Sequence, residues 1–501
     1  GPEASWAIPL KTPYGRIYVF YVYNGDNVRT LNGREIRTDM LGWYCFKYSD
    51  DGGRTWSERH RLPMRVTACD RGNDWNGKVQ IFWGICEPIT ASGDMYFSFT
   101  KLGKYMLQEG EGWLFHSDNI LHERDVDELH FELLPDGQHG IRAQGFGSVQ
   151  EEHNIVSLGG DDLYCVYRTK TKYPCHAYSR DGGQSWTKPE HMTYCPDGRR
   201  MKNPRACPRV WRVEEGKYLF WFHNHSGQTF RDRNPAWVAG GVVKDGKMYW
   251  SQPEILLYDP DPDVRISYPD LVQEDGKYWF TETQKSVARV HRVDAELLEG
   301  LWRQGSVREV VRDGLMLSAE GSDTAGDIPM PELPDLSAGG GFTIGAWLRL
   351  DSLEPGQVVL DSRGEQRRGV VLRSAEGAAL ELRLNDGERS ASWTTDPGLL
   401  NAGEYHHVVF VVDGSANIIS AIVDGRLCDG GVERQYGWRR FDAGLSDVSG
   451  DGTLDLAQNL DGQLRRVRIY NRYLRTSEAI ANYNADAGSV PGASPAGIAT
   501  H

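Results

Sequence analysis

The sequence predicts an all-β protein in which a β-propeller precedes a β-sandwich, and three observations support this. Short runs of β-branched and aromatic residues, separated by Gly and Asp turns, fill the first part of the chain. A turn motif occurs twice, as SDDGGRTW at 49–56 and as SRDGGQSW at 179–186. A stretch rich in Pro, Gly and Ser at 306–340 is followed by a second strand-rich segment. The chain is therefore expected to contain two all-β domains.

Length and composition limit the class of protein. With 501 residues, the chain is too long for one ordinary core. The net charge of −14 argues against nucleic acid as the main partner, because a phosphate backbone requires a basic surface. No stretch reaches the roughly 18–20 apolar residues of a membrane span, so membrane insertion is not expected. None of the eight cysteines form CxxC pairs, so a zinc cluster is not expected either.

The first two residues bear on the expected location. Gly1-Pro2 is typical of the scar that a protease leaves when a purification tag is removed. An export signal that preceded these residues would have been lost with the tag. We expect the natural protein to be secreted or periplasmic.

The predicted propeller covers residues 1–305. Typical strands are RIYVFYVYNGD at 16–26, DLYCVYRT at 162–169 and KYLFWFHN at 217–224, whereas helical periodicity is scarce. Many short antiparallel strands with tight turns favour a sandwich, a barrel or a propeller. The repeated turn motif favours the propeller among these.

The two copies of the turn motif are interpreted as a folding device rather than as a catalytic site. In each copy the Asp side chain is expected to cap backbone amides of its own turn, and a glycine, Gly53 or Gly183, permits positive φ. Trp56 and Trp186 would begin the next strand. Because a blade takes about 40–50 residues, copies 130 residues apart predict positions three blades apart.

The second strand-rich segment resembles a known module. FTIGAWLRL at 342–350, YHHVVFVVDG at 405–414 and LRRVRIYNRYL at 464–474 resemble strands of laminin-G/concanavalin-like domains. The resemblance implies a jelly-roll β-sandwich at 341–485, preceded by a linker and first-strand region at 306–340. Such modules bind glycans in some proteins and only brace a catalytic domain in others, and both roles stay open here. The tail at 486–501 is predicted to be disordered.

The first domain resembles the sialidase (neuraminidase) superfamily, known for paired Asp-box (BNR) turns. The segment EEHNIVSLGGDDLYCVYRT at 151–169 resembles a sialidase blade that begins with a Glu and ends with an Arg, and SYPDLVQEDGKYWFTE at 267–282 resembles the stretch that carries the family's nucleophilic Tyr. The resemblance implies a six-bladed propeller and places six family positions at Asp39, Glu152, Arg168, Arg233, Tyr268 and Glu282.

The resemblance also implies roles for these residues. Tyr268 would be the nucleophile, activated by Glu152, because a Tyr hydroxyl is not repelled by a carboxylate on the anomeric carbon. Asp39 would protonate the leaving oxygen and later activate water. Arg168 and Arg233 would hold the sugar carboxylate in a bidentate manner.

One departure from the family pattern concerns the first arginine. Sialidases open with Arg-Ile-Pro, whose Arg is the first of three around the carboxylate, but this chain has Trp6-Ala7-Ile8-Pro9. Loss of that Arg in a desolvated site would weaken transition-state binding by several kcal/mol, or roughly 2–4. Glu282, which orients this Arg in the family, would lose its role. The scaffold is therefore expected to act on a different terminal sugar.

Histidines and further arginines provide other candidate site residues. His153 follows Glu152 and is a candidate acid or base, although adjacent strand residues face opposite sides unless a bulge intervenes. His223 and His225 would share one face at the end of an aromatic strand. Arg205, in NPRACPR, is a further candidate for substrate binding. Surface solvation is the alternative for each of them.

Three functions remain open from the sequence. The first is an exo-acting glycoside hydrolase that removes a terminal, acidic sugar from a complex glycan or polysaccharide. The second is a polysaccharide lyase that acts on uronic-acid polymers with His and Tyr as acid and base. The third is a non-catalytic glycan-binding protein. We favour the hydrolase, which would require no cofactor, and leave open a structural Ca²⁺ in either domain.

Overall fold

The computed structural model describes residues 4–283, 286–321, 326–364 and 367–496. Nearly all of its regular structure is β-strand, and the three α-helices are short. The predicted all-β class and the order of the two domains are confirmed. Within the described residues, no helix has the length and apolar character that crossing a membrane requires.

The first two blades of the propeller share one nine-stranded sheet. Blade 1 consists of β1 (Ala4–Lys11), β2 (Ile17–Tyr23), β5 (Leu41–Ser49) and β6 (His60–Leu62), with a small hairpin of β3 (Thr30–Leu31) and β4 (Arg34–Glu35) before β5. Helix α1 (Ala68–Arg71) precedes blade 2, which consists of β7 (Gln80–Trp83), β8 (Ile89–Ala91), β9 (Asp94–Lys104), β10 (Gln108–Ser117) and β11 (Glu132–Leu134). Two residue pairs between β5 and β7 join the blades.

Three separate sheets form the remaining blades. Blade 3 consists of β12 (Gln150–Gly159), β13 (Asp162–Thr169), β14 (Cys175–Ser179) and β15 (Glu190–His191). Blade 4 consists of β16 (Arg209–Glu214), β17 (Lys217–Phe222), β18 (Ala236–Lys244), β19 (Lys247–Trp250) and β20 (Glu254–Leu257). Blade 5 consists of β21 (Asp270–Glu274), β22 (Lys277–Thr283) and β23 (Ala288–Val293), and helix α2 (Ala295–Arg303) follows. The described strands thus group into five blades, and a sixth is not seen among them.

Apolar clusters between successive blades hold the propeller together. Aromatic residues of blades 1 and 2 pack face to face, as Phe20 and Phe97 do with ring centroids 4.7 Å apart. A second cluster joins blades 2 and 3, and a third joins blades 4 and 5, where Trp211 and Phe280 meet at 5.5 Å. Aromatic side chains of this size suit such contacts because each buries a large apolar area. The many Trp and Tyr residues therefore serve mainly in packing.

The repeated turn motif forms the same hydrogen bonds in both copies. Ser49 Oγ donates to Asp51 Oδ1 at 2.8 Å, Asp51 accepts backbone N–H groups of its own turn, and Trp56 Nε1 donates to Gly53 O at 3.1 Å. The second copy repeats this pattern, with Asp181 as the acceptor. Each copy follows the third strand of its blade, in blades 1 and 3.

The two copies therefore lie two blades apart, not three as predicted. Long connections around blade 2 lengthen the chain between them: 62 is the last residue of β6 and 150 the first of β12. Much of that segment, including residues 63–79 and 118–131, lies outside the strands. The prediction used an average number of residues per blade, which assumes short connections, and it therefore counted one blade too many between the two copies.

The C-terminal domain is a sandwich of two antiparallel sheets. The seven-stranded sheet contains β24 (Leu315–Glu320), β26 (Gly341–Leu350), β31 (Tyr405–Asp413), β32 (Ile418–Val423), β33 (Arg426–Leu427), β34 (Trp438–Arg440) and β36 (Gly462–Tyr470). The six-stranded sheet contains β25 (Gly326–Pro329), β27 (Val358–Asp361), β28 (Gly369–Ala375), β29 (Ala379–Asn385), β30 (Ser390–Thr394) and β35 (Thr453–Leu456). Alternating apolar residues of both sheets form one core, as the pattern of β29 predicts.

The end of the chain packs on the sandwich. Helix α3 (Thr476–Ala487) places Tyr483 against Trp347, with ring centroids 5.4 Å apart. Val490 and Ala496 are buried in the same cluster. The composition predicts disorder from residue 486, but these small apolar side chains fill the space beside Trp347. The last five residues, 497–501, lie outside the described part of the chain.

The two domains share a continuous apolar core. Strands of blades 3 and 4 pack on β31, β32 and β34 of the sandwich. Polar contacts surround this core: Arg199 Nη1 lies 3.0 Å from Asp429 Oδ2, and Glu254 accepts the N–H groups of Thr476 and Ser477 at the start of α3. The sandwich is therefore an integral support of the propeller.

Candidate active site

The candidate site lies at one end of the propeller strands, opposite the two turn motifs. Arg168 lies near the end of β13, whereas Leu163, near the start of that strand, pairs with Ser179 of the second turn motif. Glu152 lies at the start of β12, which is antiparallel to β13. Arg233 and Tyr268 come from loops before β18 and β21. Strands of blade 3 and loops of blades 4 and 5 thus bring side chains to one end of the channel.

Tyr268 and Glu152 form the centre of the site. The Tyr268 hydroxyl donates to Glu152 Oε1 at 3.2 Å, although 116 residues separate the two in sequence. Arg168 Nη1 lies 2.7 Å from Glu152 Oε2, and the side chain of Glu152 is 1% exposed. The predicted pair of nucleophile and base is therefore brought together, beside the predicted arginine.

A second carboxylate, Glu151, extends this cluster. Arg168 Nη2 lies 2.6 Å from Glu151 Oε2, and Arg205 Nη2 lies 2.8 Å from Glu151 Oε1. Sequence reasoning did not single out Glu151. Strand register could have indicated Glu151, because Glu151 and Arg168 are direct partners across β12 and β13. Arg168 is consequently paired with two carboxylates at once.

Arg233 lies on the other side of Tyr268. Its Nη1 donates to Ser267 Oγ at 2.5 Å, and its Nη2 donates to the Arg205 carbonyl oxygen at 2.9 Å. The guanidinium carbon is 5.8 Å from the centre of the Tyr268 ring. Arg168, Arg205 and Arg233 thus form, with Glu151 and Glu152, one connected cluster beside Tyr268 that has one more guanidinium than carboxyl group.

The backbone is strained at both central residues. Glu152 has φ +57° and Tyr268 has φ +48°, in the left-handed region that bulky residues rarely adopt. At Glu152 the register of β12 on β13 shifts between Glu151 and Asn154, which marks a β-bulge. Conformations of this kind cost on the order of 1–3 kcal/mol each and are concentrated at functional sites. The packing around the site maintains this arrangement.

The electrostatics of the pair suit proton transfer. Burial raises the pKa of Glu152, while the charge of Arg168 opposes this shift. Burial also raises the pKa of Tyr268, and the negative charge of Glu152 adds to it. A Tyr with a raised pKa keeps its proton at neutral pH, and a carboxylate with a raised pKa accepts a proton more readily. Glu152 is thus placed to take the Tyr268 proton.

Asp39 lies near this group and is paired with Arg37. Arg37 Nε lies 2.5 Å from Asp39 Oδ1, and the side chain of Asp39 is 14% exposed. The pKa of Arg37 is raised, first by its hydrogen bond to Asp39 and also by the charge of Tyr268, which places Arg37 beside the site. Sequence reasoning missed Arg37, whose only signal was its position two residues before Asp39.

His153 lies outside the site, which corrects the interpretation of this residue as a catalytic acid or base. Its Nδ1 is 2.9 Å from Thr100 Oγ1, and its ring stacks on Tyr167 with centroids 4.3 Å apart. Burial lowers the pKa of His153 to about 3, so the ring is neutral. The bulge at Glu152 directs the side chain of Glu152 into the site and that of His153 into the interface between blades 2 and 3.

The other two histidines are also buried in structural contacts. His223 Nδ1 lies 3.2 Å from Pro235 O, and burial lowers its pKa well below the ordinary value. His225 Nε2 donates to Asp232 O at 2.7 Å, and its ring lies 4.9 Å from that of Tyr436 in the sandwich. Both residues shape the loop that carries Arg233. The structure shows no substrate-facing role for them.

Glu282 is buried without a close partner of opposite charge. Its side chain is fully buried, with Arg289 Nε at 3.7 Å and His291 Nε2 at 3.5 Å from Oε1. Neither oxygen has a hydrogen-bond partner among the described residues. Strict alternation along β22 buries Tyr278, Phe280 and Glu282 on one face. Ala7 directly precedes Ile8-Pro9, so this stretch supplies no guanidinium group for Glu282 to orient.

A cavity of about 410 Å³ lies in the channel beside Tyr268. One wall is apolar and comes from Trp6, Ala7, Ile8 and Pro9 of β1. The other wall is polar and is formed by Glu87, Arg209, Asp270 and Thr283. A cavity with an aromatic wall and a few polar groups is typical of a site for one sugar.

The polar wall contains two neighbouring carboxyl groups that the sequence did not indicate. Burial raises the pKa of Glu87 to about 8, and a hydrogen bond with Asp270 adds to the shift. Arg209 Nη2 lies 3.3 Å from Asp270 Oδ1 and 3.7 Å from Glu87 Oε1. The raised pKa favours the protonated form of Glu87 beside Asp270.

Two further features of the described residues concern metal ligands and cysteines. Among the described residues, no group of three or more His, Cys, Asp or Glu side chains is arranged to hold a metal ion. All eight cysteines are buried as free thiols, and burial raises the pKa of Cys207, which lines the cavity. The groups that the structure brings together at the site are Tyr, carboxyl and guanidinium groups.

Comparison with known proteins identifies both domains. The sequence model of the BNR repeat-like domain matches residues 4–279, and that of the Concanavalin A-like lectin/glucanases superfamily matches residues 321–481. No curated protein sequence matches the chain.

Solved structures with some similarity include three sialidase-type enzymes. A mutant of Trypanosoma rangeli sialidase with trans-sialidase activity is 13% identical, with coverage of 95% of this chain and 92% of that one and a TM-score of 0.34. The leech intramolecular trans-sialidase is 12% identical, with 59% and 55% covered and a TM-score of 0.39. The intramolecular trans-sialidase of Ruminococcus gnavus is 12% identical, with 60% and 79% covered and a TM-score of 0.40. These values are too low to carry an argument about activity.

Proposed function

Because the chain belongs to the BNR repeat-like domain family, we propose that it is a carbohydrate-active enzyme of the glycoside hydrolase type. The reaction would remove a terminal, acidic sugar from a complex glycan. The observation that carries the proposal is the hydrogen bond of 3.2 Å from the Tyr268 hydroxyl to buried Glu152. Both residues of this Tyr–carboxylate pair have strained backbone, which costs free energy of folding. Such strain is concentrated at functional sites, so it favours a catalytic role over a structural one.

The first chemical step would use three side chains. Tyr268 Oη attacks the anomeric carbon while Glu152 takes the Tyr proton, and the bond from that carbon to the leaving oxygen breaks. Asp39 supplies a proton to the leaving oxygen. Binding of an anionic sugar would draw Arg37 away from Asp39 and free this carboxyl group to carry the proton.

The second step would restore the enzyme. Asp39 removes a proton from water, and the water oxygen attacks the anomeric carbon while the bond to Tyr268 Oη breaks. Glu152 then returns the proton to Tyr268. Attack from opposite faces in the two steps would retain the anomeric configuration.

The charges around Tyr268 favour binding of an acidic sugar that carries a single negative charge. Arg168 is already paired with Glu151 and Glu152, so it has less capacity for a substrate carboxylate than an unpaired arginine. Arg233 donates to two neutral groups, Ser267 Oγ and the Arg205 carbonyl oxygen. Arg233 is therefore the principal carboxylate ligand of the proposal, and the cavity beside Trp6 would hold the remainder of the ring.

A secreted or periplasmic location fits this substrate class, because complex glycans are found mainly outside the cytoplasm. We keep that location as part of the proposal. Localisation of the full-length natural protein with an epitope tag would test it.

The test of the proposal is release of sugar by the full chain. The protein would be incubated with glycans that end in acidic sugars and with matched neutral glycans, and the released monosaccharides would be quantified. Replacement of Tyr268 by Phe should lower kcat by at least about a hundredfold, because the nucleophile is lost. Tyr258→Phe, at an exposed Tyr in the same loop, is the matched control.

Other outcomes would redirect the proposal. Products that show the short-wavelength ultraviolet absorbance of unsaturated uronates would indicate a lyase. Glycan binding without any product, unchanged by Tyr268→Phe, would indicate a non-catalytic binding protein. Full activity of the Tyr268→Phe variant on any substrate would contradict the assigned nucleophile.

A further inference from the structure

A second pocket lies beside the candidate active site and is not used in the proposed chemistry. It has a volume of about 370 Å³ and lies at the same end of the propeller. Its walls come from the turn between β9 and β10, the loop before β12, the loop after β13 and the loops before β16 and β18. These are blades 2, 3 and 4, whereas blades 1, 2, 4 and 5 line the cavity beside Tyr268.

The charge of this pocket differs from that of the whole chain. Lys170 and Arg205 line it, and none of its lining residues is an Asp or a Glu. The chain as a whole carries a net charge of −14. Lys170 has no described carboxylate within ion-pair distance, since all charge pairs found in the described part of the chain involve other residues. Arg205 is already paired with Glu151, so Lys170 supplies the uncompensated positive charge, and this charge favours an anionic ligand.

Arg205 connects the pocket to the chemistry. Its Nη2 contacts Glu151 at 2.8 Å, and Glu151 in turn holds Arg168, the partner of Glu152. Its carbonyl oxygen accepts from Arg233 Nη2 at 2.9 Å. One residue therefore lies against both the pocket and the group around Tyr268.

The opposite wall is suited to a sugar ring. Phe146 stacks on His191 with ring centroids 4.1 Å apart and an angle of 8° between the planes, which fixes its orientation. Met106 is 41% exposed at the rim. Polar groups of Gln108, Ser148 and Gln228 complete the lining. A fixed aromatic face with amide and hydroxyl groups around it is typical of a carbohydrate subsite.

We propose that the pocket lined by Phe146, Lys170 and Arg205 binds the sugar next to the cleaved bond, and that this sugar carries a carboxylate or a sulfate. The inference rests on the proposed function and names its leaving group. Lys170 contacts the anionic group, and Phe146 lies against the ring. The enzyme then prefers glycans in which an anionic sugar follows the terminal one.

The test compares two substrates with the same terminal sugar, in which the next residue is glucuronate in one and glucose in the other. For the full-length wild-type protein, kcat/KM should be higher for the glucuronate substrate, and added salt should reduce this ratio. Lys170→Gln should lower the ratio by about fivefold, the range of one partly exposed ion pair. Lys188→Gln, at an exposed residue beside the second turn motif, should leave the ratio unchanged.

The outcomes separate this inference from the proposed function. The pocket is not an anionic subsite if the wild type has the same kcat/KM for both substrates. The same holds if Lys170→Gln retains the wild-type preference for the glucuronate substrate. In both cases the hydrolase proposal stands. If no glycan is cleaved, binding of the same two oligosaccharides is measured by calorimetry on wild-type protein and on Lys170→Gln. Tighter binding of the glucuronate oligosaccharide by the wild type, lost in Lys170→Gln, would support an anionic subsite even without cleavage. Equal binding of the two oligosaccharides by the wild type would overturn the inference.

Discussion

At the scale of single residues, the site depends on side chains that the sequence separates widely. Glu152 and Tyr268 are 116 positions apart, and both have positive φ. Tyr268 could be selected from its sequence context, which resembles a known nucleophile segment. Glu87 had no such context, because its altered pKa arises only when Asp270 and the walls of the channel surround it. Residues of this second kind are accessible only from the fold.

Glu87 leads to a prediction on pH dependence. Burial and Asp270 raise its pKa from the ordinary 4.5 to about 8, so the folded protein binds this proton more tightly than the unfolded chain. Stability from this group is fully present below about pH 4.5 and is lost as pH rises towards 8. We expect Glu87→Gln to reduce the decline of melting temperature across this interval.

Thermal unfolding of both proteins at several pH values measures this difference. Glu274→Gln, at an exposed strand residue of blade 5, is the control and should follow the wild type. Parallel curves for wild type and Glu87→Gln would contradict the raised pKa.

At the scale of elements, the turn motif is a local device that terminates a blade. Asp181 accepts the Ser185 N–H at 2.9 Å and the Ser185 hydroxyl at 2.6 Å, and Ser179 Oγ donates to it at 2.8 Å. These bonds lower the pKa of Asp181, although its partial burial opposes the shift. All partners lie within six residues, and this local character explains why the sequence alone revealed the motif.

The motif gives a prediction on stability without loss of activity. Asp181→Ala should lower the free energy of unfolding by about 1–2 kcal/mol, because the turn loses its capping acceptor. Chemical denaturation measures the change. Catalytic constants should stay within about twofold, since the motif lies at the strand ends away from Tyr268.

A matched variant tests whether the position matters. Asp263→Ala removes an exposed turn Asp outside both motifs, in the loop between β20 and β21, and should cost less. Equal costs for the two variants would show that the motif contributes no more than an ordinary turn.

At the scale of the whole molecule, the two domains act as one structural unit. The sandwich segment around Tyr436 forms a β-bridge with His225, and Gln435 O accepts the Ser226 N–H at 3.1 Å. The propeller loop held in this way continues to Arg233. The C-terminal domain therefore positions one of the arginines at the candidate site, whether or not it also binds glycans.

The interface gives a prediction on cooperativity. Asp429, whose side chain is 3% exposed, pairs with Arg199 at 3.0 Å and lies 3.8 Å from Lys202. Asp429→Ala leaves two buried cations without this partner and should destabilise the protein by about 3–5 kcal/mol. Calorimetry should show a single transition for the wild type, because the domains share a core.

Asp442→Ala, at an exposed residue of the sandwich, is the control for that experiment. Two well-separated transitions in the wild type, with Asp429→Ala affecting only one, would contradict a common folding unit.

The sequence by itself determined the all-β class, the order of the domains and the turn motifs, because these follow from side-chain patterns within a few residues of chain. It also indicated Asp39, Glu152, Arg168, Arg233 and Tyr268, since family motifs are local strings. It also offered His153 as a candidate acid or base, although alternation along the strand opposed this, and the structure buries His153 between blades 2 and 3.

Only the tertiary structure decided which of these side chains meet and what charge surrounds them. Glu151 became part of the site through strand register, and Arg37 through a loop of blade 1. The pocket at Lys170 exists only where loops of three blades converge. Burial, pKa and shared cavities are properties of groups distant in sequence, and folding alone brings those groups together.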